Sequence, residues 1–355
     1  MKIVTVIGNR PQFVKAAAVS GPLRAEHDEV LVHTGQHYDD ELSTIFVTEL
    51  GVPRPEVQLG LGGGSNTEQT ARMLAALDGV LAEHAPDAVL VYGDTNSTLA
   101  GGLAAAQRRI PVAHVEAGMR SFDRAMPEEL NRVLTDHLAD LLLASSYGAA
   151  ANLAREGVAG DVEVVGDVMV DVATLLAPRA RADDDPLHAA GVSAGQYVLV
   201  TAHRAGNVDD PGRLATLVDL LLSLQTPVVL PLHPRTRARL HDAGLFDRLA
   251  ATAILLPPLG YLAFTSLLTR ARAVLTDSGG VQKEAYLAGV PCVTLRDSTE
   301  WVETVDAGWN VLVDLDADAA HAALARPQPA ERPELYGDGR AAQRVVAAMA
   351  RLAER

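Results

Sequence analysis

Short, almost uninterrupted apolar runs alternate along the chain with longer segments of helical period. The first run covers residues 3–7, and others follow at 29–34, 87–92, 111–116, 140–144 and 161–165. Between them, 11–26, 67–84, 96–108, 127–137 and 147–156 read as helices. Strands alternating with helices of this length predict βαβ units and a parallel sheet. The stretch 168–194 breaks the rhythm. Its centre, Pro178 to Pro186, is charged, bounded by prolines and free of long apolar runs, and is expected to connect two domains. The alternation then restarts, with strands at 197–201, 227–232, 253–256, 273–276, 291–295 and 310–313. Helices are predicted over 211–224, 261–270 and 279–288, and an amphipathic helix over 339–354. The expected fold class is α/β, with Rossmann-like open parallel-sheet domains over 1–172 and 173–338.

Composition narrows the function. A chain of 355 residues has room for about two domains. Thirty basic residues against 45 acidic ones give a formal net charge of −15. That excess argues against nucleic acid, whose binders carry a basic footprint, and against anionic lipid surfaces. Taken alone, it also argues against a negatively charged substrate. No apolar run approaches the ~18 residues of a membrane span, and the N-terminus lacks a signal-peptide plan, so the expected location is the cytoplasm. The single cysteine, Cys292, excludes an internal disulfide framework and reads as a small buried hydrophobe.

Ligands of open α/β sheets bind beyond the carboxyl ends of the strands. Six strand exits here carry polar or ionisable groups. In the first half they are Gly8-Asn9-Arg10-Pro11-Gln12, Gly93-Asp94-Thr95-Asn96-Ser97 and His114-Val115-Glu116-Ala117-Gly118. In the second half they are Thr201-Ala202-His203-Arg204, His233-Pro234-Arg235 and Asp277-Ser278-Gly279-Gly280. Singly, Asp94 or Asp277 could be a plain helix N-cap. Together, the six exits point to an active site in an inter-domain cleft. Gly279 and Gly280 open a helix whose free N–H groups suit a diphosphate, and Glu284 further along could accept from ribose hydroxyls. The glycine-rich run 60–64 has no acidic partner at dinucleotide spacing and reads as a flexible loop. The histidines form no metal pattern. His203 and His233 stand apart because each sits at a strand exit near arginine, where an imidazole can donate a proton to a bound phosphate. Glu128-Glu129, behind Pro127, is either a well-charged helix start or part of a carboxylate cluster with Asp94 and Glu116.

Several strings are specific. Ile7-Gly8-Asn9-Arg10-Pro11-Gln12, Tyr92-Gly93-Asp94-Thr95-Asn96-Ser97-Thr98 and His114-Val115-Glu116-Ala117-Gly118-Met119-Arg120 occur in order. Met126-Pro127-Glu128-Glu129-Leu130-Asn131-Arg132 and Asp277-Ser278-Gly279-Gly280-Val281-Gln282-Lys283-Glu284 follow. Together they resemble the bacterial non-hydrolysing UDP-N-acetylglucosamine 2-epimerase family, from about residue 2 to about residue 350. The resemblance implies a glycosyltransferase-B fold whose last helix, 339–355, packs back on the first domain. It implies an isomerase that inverts C2 of a UDP-2-acetamido sugar, with no cofactor or metal, through elimination of UDP to a glycal and re-addition. Asp94, Glu116 and Glu128 match the family carboxylates, and their mutual repulsion should raise at least one pKa. His203 matches the histidine that assists UDP departure. Arg10, Lys15, Ser278, Gly279, Gly280 and Glu284 match substrate and UDP contacts, and His233 and Arg204, at their strand exits, are expected to join them. Gln36, His37 and Arg72 resemble a site where many members bind a second UDP-sugar as activator, although Asp39 stands where glutamine is common. A homodimer is implied by resemblance alone.

Departures bear on the substrate. Ala205-Gly206-Asn207 follows Arg204 where many members have Arg-Glu-Asn, and Thr299-Glu300-Trp301-Val302-Glu303 replaces Thr-Glu-Arg-Pro-Glu. The latter looks more like 2,3-diacetamido-uronate 2-epimerases. A hydrolysing epimerase and a glycosyltransferase of the same fold are the alternative readings.

Overall fold

Ile3, Val4, Val6 and Ile7 are all buried, which alternating burial on a half-exposed strand would not allow. A strand covered by helices on both faces needs such a continuous apolar run. The computed structural model describes residues 1–36 and 50–352. The chain divides into two units, Met1–Leu175 with Tyr336–Arg355, and Leu176–Leu335. Among the described residues no helix is long and apolar enough to cross a membrane.

Unit 1 runs β1 (Lys2–Ile7), α1 (Arg10–Glu26), β2 (Asp28–His33), β3 (Val57–Gln58), α2 (Asn66–His84), β4 (Ala88–Tyr92) and α3 (Asn96–Gln107). It continues through β5 (Val112–Ala117), α4 (Pro127–Leu138), β6 (Leu141–Ala144), α5 (Tyr147–Glu156), β7 (Asp161–Val164) and into α6 (Val168–Ala182). Its sheet has the order β3-β2-β1-β4-β5-β6-β7. Every pairing is parallel. The strand order reverses between β1 and β4, which makes their exits the topological switch point.

Unit 2 contains α7 (Asp185–Ala190), β8 (Val198–Thr201), α8 (Ala205–Val208), α9 (Pro211–Ser223), β9 (Val228–Pro231), α10 (Pro234–Asp242), α11 (Phe246–Ala250), β10 (Ile254–Leu256) and α12 (Tyr261–Arg270). β11 (Ala273–Thr276), α13 (Gly279–Ala288), β12 (Cys292–Thr294), α14 (Val302–Asp306), β13 (Asn310–Leu312) and α15 (Ala317–Ala325) follow. The parallel order β10-β9-β8-β11-β12-β13 reverses between β8 and β11. Cys292 lies in this core, where burial pushes its thiol up to about 12 and makes it a poor nucleophile.

The stretch expected as a connection is largely helical. Val168, Val172, Leu176 and Ala180 recur every four residues and are all buried, so α6 forms despite Pro178. The last helix, α16 (Ala341–Leu352), belongs to unit 1 and buries Val345, Val346 and Met349. Its first N–H groups, from Ala341 and Ala342, donate to the Asp171 carboxylate on α6 at 3.1 and 2.9 Å. That carboxylate satisfies donors a helix start otherwise leaves open.

Candidate active site

At the unit 1 switch point, the Gln12 side chain joins the two strand exits. Its oxygen accepts from Gly8 N at 2.7 Å, and its nitrogen donates to Tyr92 O, Thr95 Oγ1 and Thr98 Oγ1 at 2.7, 3.1 and 2.9 Å. Gly8 is needed because a Cβ there would collide with Ser97 Oγ. Asp94 is not the N-cap of α3; Thr95 is, in a capping box with Thr98. The Asp94 carboxylate instead faces Arg132 of α4 in an ion pair, and Asn131 Nδ2 donates to its backbone oxygen at 3.0 Å.

Glu116 owes its direction to the backbone. Val115 pairs with Leu143 and Ala117 with Ala144, so Glu116 is one extra residue in β5, a β-bulge. Its φ of 72° is unusual for a residue with a Cβ and costs about 1–3 kcal/mol. The side chain is buried and ion-paired with the buried Lys15 of α1. A Cβ on Gly93, itself at φ 63°, would lie 3.1 Å from Lys15 Nζ and 3.4 Å from Glu116 Oε2. Glycine thus keeps the Asp94 turn close to this pair. Asp94 and Glu116 do not meet only each other's charge: Arg132 and Lys15 offset the repulsion expected from sequence.

Glu128 and Glu129 divide. Glu128 is exposed in the first turn of α4. Glu129 is buried and accepts from Ser121 N, Phe122 N and Arg132 Nη1 at 2.8, 3.0 and 3.1 Å. Arg10, at the start of α1, is half-buried.

Unit 2 builds its switch point differently. Asp277 is fully buried and accepts from His203 N at 3.0 Å, Arg204 N at 2.9 Å and Asn207 Nδ2 at 3.3 Å. It is not the cap of α13, a position taken by Ser278. His203 and His233 lie with ring centroids 5.5 Å apart. His233 Nδ1 accepts from Arg235 N at 3.2 Å, and burial, together with the charges of His203 and Arg235, lowers its pKa. Because Nδ1 accepts, the neutral ring carries its proton on Nε2 and presents that nitrogen as a donor. A Cβ on Gly279 would collide with Glu300 Oε1, whereas Gly280 has open space around it. Burial pushes the Glu300 carboxyl up, but Arg296 and Arg204 outweigh it and hold it below the usual carboxylate range. Glu284 is half-buried on α13. Arg235, at a strand exit that suggested a phosphate contact, is ion-paired with Asp209 instead.

Gln36 Oε1 accepts from Ser97 N and Oγ at 3.0 and 2.7 Å. Arg72 donates to Gly62 O at 3.2 Å. The glycine run is packed backbone to backbone rather than loose. Leu61 N donates to Thr34 O at 2.8 Å, and a Cβ on Gly62 would lie 2.7 Å from Gly35 O. Gln36 and Arg72 thus meet the same loop, while His37 and Asp39 lie outside the described residues. Gln12 and His114 lie within the strand exits without a role assigned there, and Arg132, Arg120 and Asp136 lie outside them. All but Asp136 lie inside the motif strings quoted above.

Two parallel-sheet units, each with polar and ionisable groups at its switch point, define an α/β protein of the glycosyltransferase-B class. Residues 23–350 match the family model described as UDP-N-acetylglucosamine 2-epimerase, and the chain belongs to that isomerase family. The chain is 47% identical over 364 residues to the UDP-2,3-diacetamido-2,3-dideoxy-D-glucuronate 2-epimerase of Pseudomonas aeruginosa, covering 99% of this chain and 100% of the relative. It is 40% identical over 361 residues to the UDP-N-acetylglucosamine 2-epimerase of Methanocaldococcus jannaschii, covering 98% of each. The crystal structure of the UDP-GlcNAc 2-epimerase from that organism, in complex with UDP-GlcNAc and UDP, matches with a TM-score of 0.90 at 38% identity, over 99% of this chain and 100% of that one.

Proposed function

We propose that this chain reversibly inverts C2 of a UDP-2-acetamido sugar, UDP-N-acetylglucosamine being the reference substrate and UDP-N-acetylmannosamine its product. The C2 proton is not acidic, since no ketone or ester carbonyl adjoins it. A base removes it as the C1–O bond breaks and UDP leaves with the electron pair, forming a glycal. Protonation of C2 on the opposite face and return of UDP to C1 complete the inversion. The observation that carries this reading is the strained bulge that aims Glu116 at Lys15 beside the Asp94 turn. Strain of this kind persists where surrounding structure holds it for function.

Asp94, Glu116 and Glu128 are assigned to proton removal and return, with Arg10 and Lys15 on the sugar-diphosphate. His203 assists UDP departure. His233, Arg204, Ser278, Gly279 and Gly280 hold the diphosphate, and Glu284 accepts from the ribose. The fit rests on α13 offering free N–H groups and positive dipole beside the open space at Gly280. A homodimer and a second UDP-sugar bound as activator at Gln36, His37 and Arg72 complete the reading.

A UDP-2,3-diacetamido-uronate is the second candidate substrate, favoured by the identity to the Pseudomonas aeruginosa enzyme and by Trp301-Val302. Incubation with each UDP-sugar in D2O, followed by NMR, tests both. A UDP-linked C2 epimer carrying deuterium at C2 is expected, and the faster substrate fixes the sugar. Release of free sugar means hydrolysis. No exchange, with UDP released only when an acceptor is added, means a glycosyltransferase.

A further inference from the structure

His114 lies fully buried on β5, two residues before Glu116, with both ring nitrogens engaged. Nδ1 is 2.7 Å from Asp136 Oδ1 on α4, and Nε2 is 2.6 Å from the Gly93 carbonyl oxygen. A carbonyl oxygen only accepts. Asp136 also receives Gly118 N at 3.1 Å and Arg120 Nη1 at 2.7 Å. Its ion pair with Arg120 and its bond from a backbone N–H make that carboxylate an acceptor as well. A ring facing two acceptors donates from both nitrogens.

We propose that His114 is a buried imidazolium that positions the Gly93–Asp94 turn and Glu116 against α4. Charge balance agrees. The cluster holds two carboxylates, Asp136 and Glu156, and Arg120 pairs with both. A charged His114 gives the buried Asp136 a cation of its own, while Arg120 also serves the exposed Glu156. Among the described residues packed nearby, Lys15 pairs with Glu116 and Arg132 with Asp94 and Glu129. His137 approaches Glu156 at 3.7 Å from an exposed position. The hydrogen bonds of His114 join the turn after β4, β5 and α4, which carry Asp94, Glu116 and Glu128 respectively. His114 is thus a positioning residue, and what it positions rests on the epimerase reading above.

The test reads the ring directly. In 15N-histidine NMR of the intact protein at about pH 8, where an unperturbed imidazole is neutral, one of the eleven histidines keeps both nitrogens protonated. That signal is lost in His114→Gln and shifts to a singly protonated pattern in Asp136→Asn, whose amide can donate to Nδ1. Eleven neutral rings overturn the proposal, whether or not the protein epimerises anything and whether or not either variant folds. With an active substrate in hand, His114→Gln lowers kcat roughly tenfold or more, the scale of a misplaced reactive group, and leaves KM near that of the parent. A raised KM with unchanged kcat overturns the positioning role.

Discussion

At the β1/β4 reversal of unit 1, side chains are held by side chains: Asp94 by Arg132, Glu116 by Lys15, Asp136 by His114 and Arg120. At the β8/β11 reversal of unit 2, one buried carboxylate, Asp277, holds loop backbone at His203 and Arg204. The same topology thus supports two kinds of site. Fixed, charge-matched carboxylates suit proton transfer, which needs groups set in place before the reaction. An organised loop and an open helix start suit the grip on a diphosphate.

The comparison breaks or sharpens under substitution. Glu116→Gln is expected to cut turnover by about 10²–10⁴-fold, the usual worth of a general acid or base, while calorimetric UDP affinity stays unchanged. A comparable loss of affinity would erase the division of labour. Asp277→Ala removes the acceptor of His203 N and Arg204 N, while Asn207 Nδ2 keeps Leu295 O, and each unsatisfied donor costs about 1–3 kcal/mol. Chemical denaturation should show a loss of roughly 3 kcal/mol or more, with weakened UDP binding. Asp94→Ala, which leaves Arg132 its bond to Glu129, should lose less stability and keep UDP affinity. The reverse ranking would break the contrast.

Lys15→Met with Glu116→Gly removes a buried ion pair and relaxes the positive φ together. The double variant should be inactive yet about 1 kcal/mol more stable in thermal unfolding, since such pairs are often replaced at no cost. A large loss of stability would show that the pair holds the fold rather than the chemistry. Gly280→Ala is the gentlest change. Its Cβ meets open space inside a helix, so stability should rise by about 0.5–1 kcal/mol. UDP affinity should nevertheless fall if ligand approaches that backbone, and unchanged affinity would remove Gly280 from the site.

Elements with strong punctuation were legible in the sequence. β11, α12 and α13 begin and end at the predicted residues, because Gly260, Asp277-Ser278 and Gly289 mark their limits. α6 was not, because Pro178, Arg179 and Arg181 obscured an apolar stripe at four-residue spacing. β3 is two residues long and exists by pairing with Val32 and His33, which no local pattern encodes. In the site, strand exits pointed to Asp94 and Asp277 because each follows a strand of its own unit's sheet at the carboxyl edge. Their partners were hidden: Arg132 lies 38 positions beyond Asp94, and the bulge at Glu116 depends on the register of β6.

The return of α16 to unit 1 also sets an order of assembly. The chain leaves unit 1 at Leu176 and re-enters at Tyr336, so unit 2 is an uninterrupted segment set inside a split one. During synthesis every residue of unit 2 is available before Val345, Val346 and Met349 exist to fill their places beside unit 1. The usual N-terminal-first sequence of folding is therefore inverted for completion: the unit that starts the chain is the last to be closed.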